Sequence, residues 1–68
     1  MFKFRDINDN LMVINAKDVL SAVIEMDITT KKFSNVCIRF RYYNSSVTFK
    51  FKNEDDARKV IELIYDYY

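Results

Sequence analysis

The stretch that decides the fold is residues 36–64, which reads VCIRFRYYNSSVTFKFKNEDDARKVIELI. Its first half alternates apolar and polar residues on both sides of Asn44-Ser45-Ser46, which is the pattern of two half-buried strands joined by a hairpin turn. Its second half starts with Asn53, a favourable helix cap, and three acidic residues follow where the helix dipole stabilises negative charge. The stretch therefore predicts strands over 36–43 and 47–52 and a helix that begins after Asn53.

The predicted helix has apolar residues at the spacing that brings them to one face. This stripe consists of Ala57, Val60, Ile61, Ile64 and Tyr68. Ion pairs between residues four positions apart, Glu54 with Arg58 and Asp55 with Lys59, should support the polar side. We expect the stripe to pack on one face of the sheet.

Two shorter strands are predicted before this stretch. Residues 1–6 alternate, with Phe2 and Phe4 pointing to one side of the strand and the basic residues between them to the other. The turn-forming cluster Asn8-Asp9-Asn10 follows, and residues 11–14 then form a second strand that closes a hairpin.

Residues 15–28 fit two structures. In the first, apolar residues at helical spacing form a helix that Asn15 caps; in the second, a short turn at 15–18 leads into a strand over 19–28. Periodicity does not separate the two, but the β-branched residues and the need for another sheet partner favour the strand. The residues that would share one face of that strand are Leu20, Ala22, Ile24, Met26 and Ile28.

These elements predict a single α+β domain over residues 1–68. The expected fold is an antiparallel β-meander of four to five strands with one C-terminal helix packed on one face. The alternative is a ββαββα arrangement with an extra helix at about residues 16–26. The predicted core is Phe2, Phe4, Leu20, Ile24, Ile38, Phe40, Phe49 and Phe51 against Val60, Ile61 and Ile64.

The composition excludes several kinds of chemistry. The chain has no Gly, no Pro and no His, and Cys37 is its single cysteine. Glycine-rich phosphate loops, an internal disulfide and His-assisted nucleophilic catalysis are therefore ruled out, and a structural zinc site is not expected. We expect no enzyme activity, no catalytic residues, no cofactor and no metal.

The sequence also favours a location and an origin. Residues 1–6 do not resemble a secretion signal, and no apolar run approaches the ~20 residues of a membrane span. Because a lone cysteine fits a reducing compartment, we expect a cytoplasmic protein with no membrane contact. The abundance of Phe, Tyr, Ile, Asn and Lys indicates an AT-rich gene, which favours a phage or plasmid of a low-GC bacterium.

Basic side chains are predicted to share the outer face of the sheet, away from the helix. This basic face consists of Lys3, Arg5, Arg39, Arg41, Lys50, Lys52 and Tyr43. It has three interpretations: solvated strands that need polar outward residues, a site for an anionic protein surface, or a site for nucleic acid, whose phosphates pair with cations while bases stack on rings. The net charge of +1 argues against a dedicated nucleic-acid binder.

The predicted helix carries more apolar surface than packing on one sheet requires. The excess forms a helix flank, which consists of Leu63, Tyr65, Tyr67 and Tyr68. Either the sheet wraps around the helix and buries these residues, or they form an oligomer or partner interface, where Tyr is a favoured anchor. The two interpretations are compatible.

The motifs NAKDV at residues 15–19, VTFKFK at 47–52 and NEDDARKVIELI at 53–64 occur in a characteristic order. In that order the chain resembles the small FlbD-type proteins of flagellar operons and swarming motility. It also resembles uncharacterised small proteins of low-GC phages and mobile elements. The resemblance implies a β-meander followed by a helix with an acidic start, and it assigns no functional residue.

The sequence thus predicts a small non-enzymatic protein-binding module. We expect it to be phage- or plasmid-encoded and homodimeric, and to regulate or inhibit a host protein through the helix flank, the basic face or both. One alternative is a nucleic-acid-binding accessory protein that uses the basic face. Another is a structural or assembly subunit.

Overall fold

In a computed structural model, which describes residues 1–68, the chain forms two antiparallel sheets and one C-terminal helix. The elements are β1 (Phe2–Arg5), β2 (Leu11–Ile14), a short 3-10 turn (Ala16–Asp18), β3 (Val19–Glu25), β4 (Asn35–Phe40), β5 (Ser46–Lys50) and α1 (Glu54–Tyr67). The predicted α+β class, with four to five antiparallel strands and one C-terminal helix, is confirmed.

The strands form two sheets instead of one continuous meander. β1 pairs with β2, while β3, β4 and β5 form a second sheet with β4 in the centre. The break lies at the 3-10 turn, where the Asn15 side chain accepts a hydrogen bond from the Lys17 N–H at 3.2 Å. This tight turn allows the chain to leave β2 and begin β3 in a different sheet.

Residues 16–26 contain the predicted turn and strand, and the alternative helix over this range was wrong. A strand forms here because β3 can pair with β4 in an antiparallel arrangement along most of its length. It ends at Glu25 because the Asp27 carboxylate accepts hydrogen bonds from the backbone N–H groups of Thr29 and Thr30, at 2.9 and 3.0 Å. These bonds fold the chain into a turn, so Met26 and Ile28 lie outside the sheet and are exposed.

A β-bulge at the start of β3 changes which residues enter the core. Val19 lies opposite Phe40 and Ser21 lies opposite Arg39, so Leu20 is an extra residue between the two pairs. As a result Val19 is 5% exposed and Leu20 is 53% exposed. The prediction that Leu20 belongs to the core was wrong, because simple alternation assumes a regular register.

The core lies where the inner face of the three-stranded sheet meets α1 and the β1–β2 hairpin. Its buried residues are Phe2, Ile14, Ala16, Val19, Val36, Ile38, Phe49, Phe51, Ala57, Val60 and Ile64. The Phe4 ring lies 5.3 Å from the Phe49 ring and 5.6 Å from the Phe51 ring, which joins the hairpin to β5. The other predicted core residues, Ile24, Phe40 and Ile61, pack against this cluster while partly exposed.

β4 ends at Phe40, earlier than the sequence indicated. The Arg41 N–H donates to the Asp18 carbonyl at 2.7 Å, and the Tyr43 N–H donates to the Phe40 carbonyl at 3.3 Å, so the chain turns at this point. Tyr42, which alternation placed on the inner face, is 81% exposed in the turn.

α1 begins where the sequence predicts. The Asn53 side chain accepts a hydrogen bond from the Asp56 N–H at 2.9 Å, and Glu54 pairs with Arg58 at 2.7 Å. The predicted Asp55–Lys59 pair was wrong: the Lys59 ammonium lies 3.9 Å from the Asp56 carboxylate. Residues three positions apart also lie close together on a helix, so the Lys59 ammonium can pair with either Asp55 or Asp56.

Candidate functional site

The outer face of the three-stranded sheet, opposite the face that joins the core, carries three rows of side chains. From β3 through β4 to β5, the rows are Ser21-Arg39-Ser46, Val23-Cys37-Thr48 and Glu25-Asn35-Lys50. Two predicted members of the basic face, Arg39 and Lys50, lie here. The acidic Glu25 shares the row of Lys50, so this surface is of mixed charge.

Lys3 and Arg5 belong to the other sheet and lie beside the helix. They line a groove between β1 and α1 together with Asp56, Lys59 and other helix residues. The prediction that they share one outer face with Arg39 and Lys50 was wrong. Alternation fixes the side of β1 on which a residue points, but not which sheet the strand joins, and β1 pairs only with β2.

The remaining members of the predicted basic face occupy loops. Arg41 follows β4, and its guanidinium donates to the Lys17 carbonyl at 3.1 Å. The Tyr43 ring packs edge-on against Phe40 with 6.3 Å between ring centroids. Lys52 is exposed in the connection between β5 and α1. The basic face is therefore distributed over separate surfaces.

The groove between β1 and α1 has an apolar floor and a charged rim. Phe4, Phe51 and Val60 form the floor, and Leu63 of the helix flank forms part of the wall. The rim consists of Lys3, Arg5, Lys59 and Asp56. The groove has a volume of about 350 Å³. It brings together members of two residue sets that the sequence presents as separate surfaces.

The rim charges are unequally neutralised. Arg5 donates to the Asp9 carbonyl at 3.0 Å and lies 3.9 Å from the Asp9 carboxylate. Lys59 lies 3.9 Å from Asp56, while Lys3 has no acidic partner within salt-bridge distance. The groove therefore has three basic side chains, one of them unpaired, next to the partly exposed side chains of Phe4 and Leu63.

The helix flank divides into residues with different surroundings. Leu63 lines the groove, and Tyr65 is 78% exposed and its hydroxyl has no hydrogen-bond partner. The Tyr67 and Tyr68 rings meet edge-on at 5.1 Å between centroids. The Tyr68 hydroxyl lies 2.7 Å from the Ala16 carbonyl and 2.8 Å from the Val19 carbonyl, so it ties the helix end to the start of β3.

A buried polar cluster lies at one end of the outer sheet face, and Asp27, which belongs to it, was predicted to lie in the strand over 19–28. The backbone N–H of Thr30 holds the pKa of the Asp27 carboxyl below its usual range, against the opposing effect of burial. The Lys50 ammonium lies 3.9 Å from this carboxylate, and the nearby Asn35 Oδ1 is buried without a hydrogen-bond donor. The signal that could have found this turn is Asp27 followed by Thr29 and Thr30, since an Asp side chain accepts from N–H groups two and three residues on.

A similar carboxylate organises the β1–β2 turn, which has no glycine. Asp6 accepts hydrogen bonds from the N–H groups of Asn8 and Asn10, both at 2.9 Å, and the bond from Asn10 is the largest cause of a pKa below the usual value. Asp9 takes the positive φ of 63° that this turn requires. Both acidic turns hold loops in place, and neither presents a set of reactive groups.

Two further observations concern metal binding and membrane insertion. No group of three or more Cys, Asp or Glu side chains is arranged to hold a metal ion. No helix has the length and the apolar character needed to cross a bilayer.

Comparisons of the chain with family models, with curated proteins and with solved structures found no match. The resemblance to FlbD-type proteins and to small phage proteins therefore stays a prediction from the sequence.

Proposed function

We propose that this chain is a small non-enzymatic module that binds a segment of another protein in the groove between β1 and α1. The observation that carries the proposal is the position of Leu63 beside Phe4, with basic side chains along the same rim. Apolar surface supplies binding free energy when it is covered, and rim charges select the partner and speed its approach.

The chemistry of the groove describes the partner segment. Its apolar side chains would cover Phe4 and Leu63, and its acidic side chains would lie near Lys3 and Arg5. Lys3 has no acidic neighbour within the chain, so a carboxylate from a partner would give it its first one. The segment is therefore an acidic one with one or two apolar anchors.

The expected contribution of Leu63 follows from its exposure. Full burial of a Leu side chain stabilises by about 1.5–3 kcal/mol. Leu63 is 41% exposed in the free chain, so covering it completely adds about 1 kcal/mol, or about fivefold in affinity. The rim lysine should contribute less to affinity at physiological salt and more to the rate of association.

In a cell, a module of this size that covers a segment of another protein would act by regulating or inhibiting that protein. The AT-rich composition supports a phage- or plasmid-encoded role against a bacterial host protein in the cytoplasm. No observation favours the nucleic-acid alternative over this proposal, since the cations that would follow phosphates lie on different surfaces. The assembly-subunit alternative stays a prediction.

The test is affinity capture from a low-GC bacterial lysate with quantitative mass spectrometry. The groove variant Lys3→Glu/Leu63→Asp is compared with the control variant Lys52→Glu/Tyr42→Asp, which makes the same kinds of change at exposed sites away from the groove. We expect a protein that the wild-type chain and the control enrich and the groove variant does not. Equal enrichment by both variants, with both folded by circular dichroism, would contradict the proposal.

A further inference from the structure

β3 is an unprotected edge of the three-stranded sheet. It pairs with β4 on one side, and no other backbone group of the chain bonds to residues 20–25. The opposite edge, β5, is partly covered, because the Ile7 N–H donates to the Lys50 carbonyl at 2.8 Å. At the start of β3, the Val19 carbonyl already accepts a hydrogen bond from the Tyr68 hydroxyl. The free edge therefore runs from Leu20 to Glu25.

The residues of this edge do not discourage strand pairing. Natural edge strands are usually protected by lysine, proline, bulges or short length. Residues 20–25 contain no lysine and no proline, and the one bulge, at Leu20, lies at the end of the strand. Val23, in the middle of the outer face of the edge, is 53% exposed.

We propose that β3 pairs with β3 of a second copy of this chain, antiparallel and centred on Val23, to form a continuous six-stranded sheet. This is the isologous contact of a two-fold dimer, in which the same strand serves both copies. The dimer covers an edge that the single chain leaves open, and it uses a surface separate from the groove.

Charge complementarity selects the second copy and the direction of pairing. With Val23 opposite its own symmetry mate, Glu25 of one copy lies opposite Ser21 of the other. Arg39 of that other copy is the next residue in the same row, two strand spacings from Glu25, or about 9.6 Å between their Cα atoms. Ser21 is small, so the two long side chains can meet above it. Neither Glu25 nor Arg39 has a salt-bridge partner within the single chain.

The symmetry produces this pair twice, once at each end of the contact. A parallel contact would instead place Glu25 near Glu25 of the other copy, and like charges side by side destabilise a sheet. The antiparallel arrangement is thus the one that the charges of this face favour.

The central row gives a direct chemical test. Directly opposite residues of an antiparallel pair have Cα atoms about 4.5–5.5 Å apart, which lies within the range that a disulfide spans. The native Cys37 lies opposite Val23 on β4, so it must first be replaced. In the variant Val23→Cys/Cys37→Ser, the new cysteines of two copies should form a disulfide across the two-fold axis under mild oxidation.

Neighbouring positions on the same face test the register. Ser21→Cys/Cys37→Ser and Glu25→Cys/Cys37→Ser should each fail to form a linked dimer alone, because their cysteines lie four residues apart along the pair. A mixture of these two variants should form the linked heterodimer. Equal linkage of all three variants on their own, or no linkage of the Val23 variant, would overturn the proposal.

Sedimentation velocity of the unmodified chain completes the test. We expect a dimer at tens of micromolar that Val23→Lys converts to a monomer, because two lysines would meet at the axis. The control Thr48→Lys, on the same face at the other edge, should leave the dimer intact. A wild-type monomer at several hundred micromolar, or a dimer insensitive to Val23→Lys, would refute this contact. Affinity capture from a lysate with the monomeric Val23→Lys chain tests partner binding in the groove independently of the dimer.

Discussion

Replacing Tyr68 by Phe tests how the end of the helix is joined to the sheet. The Tyr68 hydroxyl lies 2.7 Å from the carbonyl of Ala16 and 2.8 Å from that of Val19, and both of these residues are buried. The hydroxyl has one proton, which the two carbonyls share. The substitution removes the hydroxyl and leaves the ring in place.

The expected loss is about 1 kcal/mol of unfolding free energy. A hydrogen bond contributes about 0.5–1.5 kcal/mol net, and a buried acceptor left without a donor costs more. Tyr68 is itself 71% exposed, so water can reach the site and keeps the loss near the middle of that range. For a domain of this size the melting temperature should fall by about 4–8 °C.

The assay is urea unfolding followed by circular dichroism, with Tyr65→Phe as the matched control. Tyr65 is on the same helix and its hydroxyl makes no hydrogen bond, so Tyr65→Phe should change the unfolding free energy by less than about 0.5 kcal/mol. Both substitutions should be made in the Val23→Lys chain, so that any self-association does not contribute to stability. Equal unfolding midpoints for the two variants would refute the assigned role of the hydroxyl.

Three further predictions concern the cap, the bulge and the acidic turns. Asn53→Ala should destabilise the chain by about 1 kcal/mol in urea unfolding, because the N–H of the third helical residue loses its acceptor; no loss would contradict the capping. By the same assay, Val19→Ala should lower the unfolding free energy by about 2 kcal/mol and Leu20→Ala by less than about 0.5 kcal/mol, because only Val19 is in the core. A larger loss from Leu20→Ala than from Val19→Ala would contradict the bulge. Asp6 and Asp27 have folded-state pKa values below the usual 3.8, so the stability they contribute is present above that pH and is lost as the pH falls through their lower folded values. An acid titration should show Asp27→Asn to be less stable than wild type at pH 7 and less sensitive to pH below 4; an unchanged acid dependence would contradict the turn's role.

The strands and the helix could be predicted because their signals are local. Alternation over 36–40 and 46–50 and the cap at Asn53 each depend on neighbours a few residues away. The bulge at Leu20 could not be predicted, because it depends on how β3 aligns with Arg39 and Phe40 of β4, which come about twenty positions later. Alternation carries no information about that alignment.

Some of the residues that line the candidate groove could be predicted from the sequence, but their meeting in one groove could not. Lys3, Arg5 and Leu63 were all identified as candidate binding residues, but as parts of two different surfaces. They meet because β1 lies beside α1, and that contact joins the two ends of the chain. The Tyr68 hydroxyl bond to Ala16, across 52 positions, is of the same kind. Contacts of this range follow from packing of whole elements and leave no local pattern.

The central claim, that the groove holds a segment of another protein, is tested most directly by a photoreactive amino acid placed at position 3 on the groove rim. We predict that illumination in a bacterial lysate links one protein to position 3, that Leu63→Asp abolishes this link, and that the same photoreactive group at position 52 does not form it. Linkage of the same protein from positions 3 and 52 alike, or no protein linked from position 3, would contradict the claim.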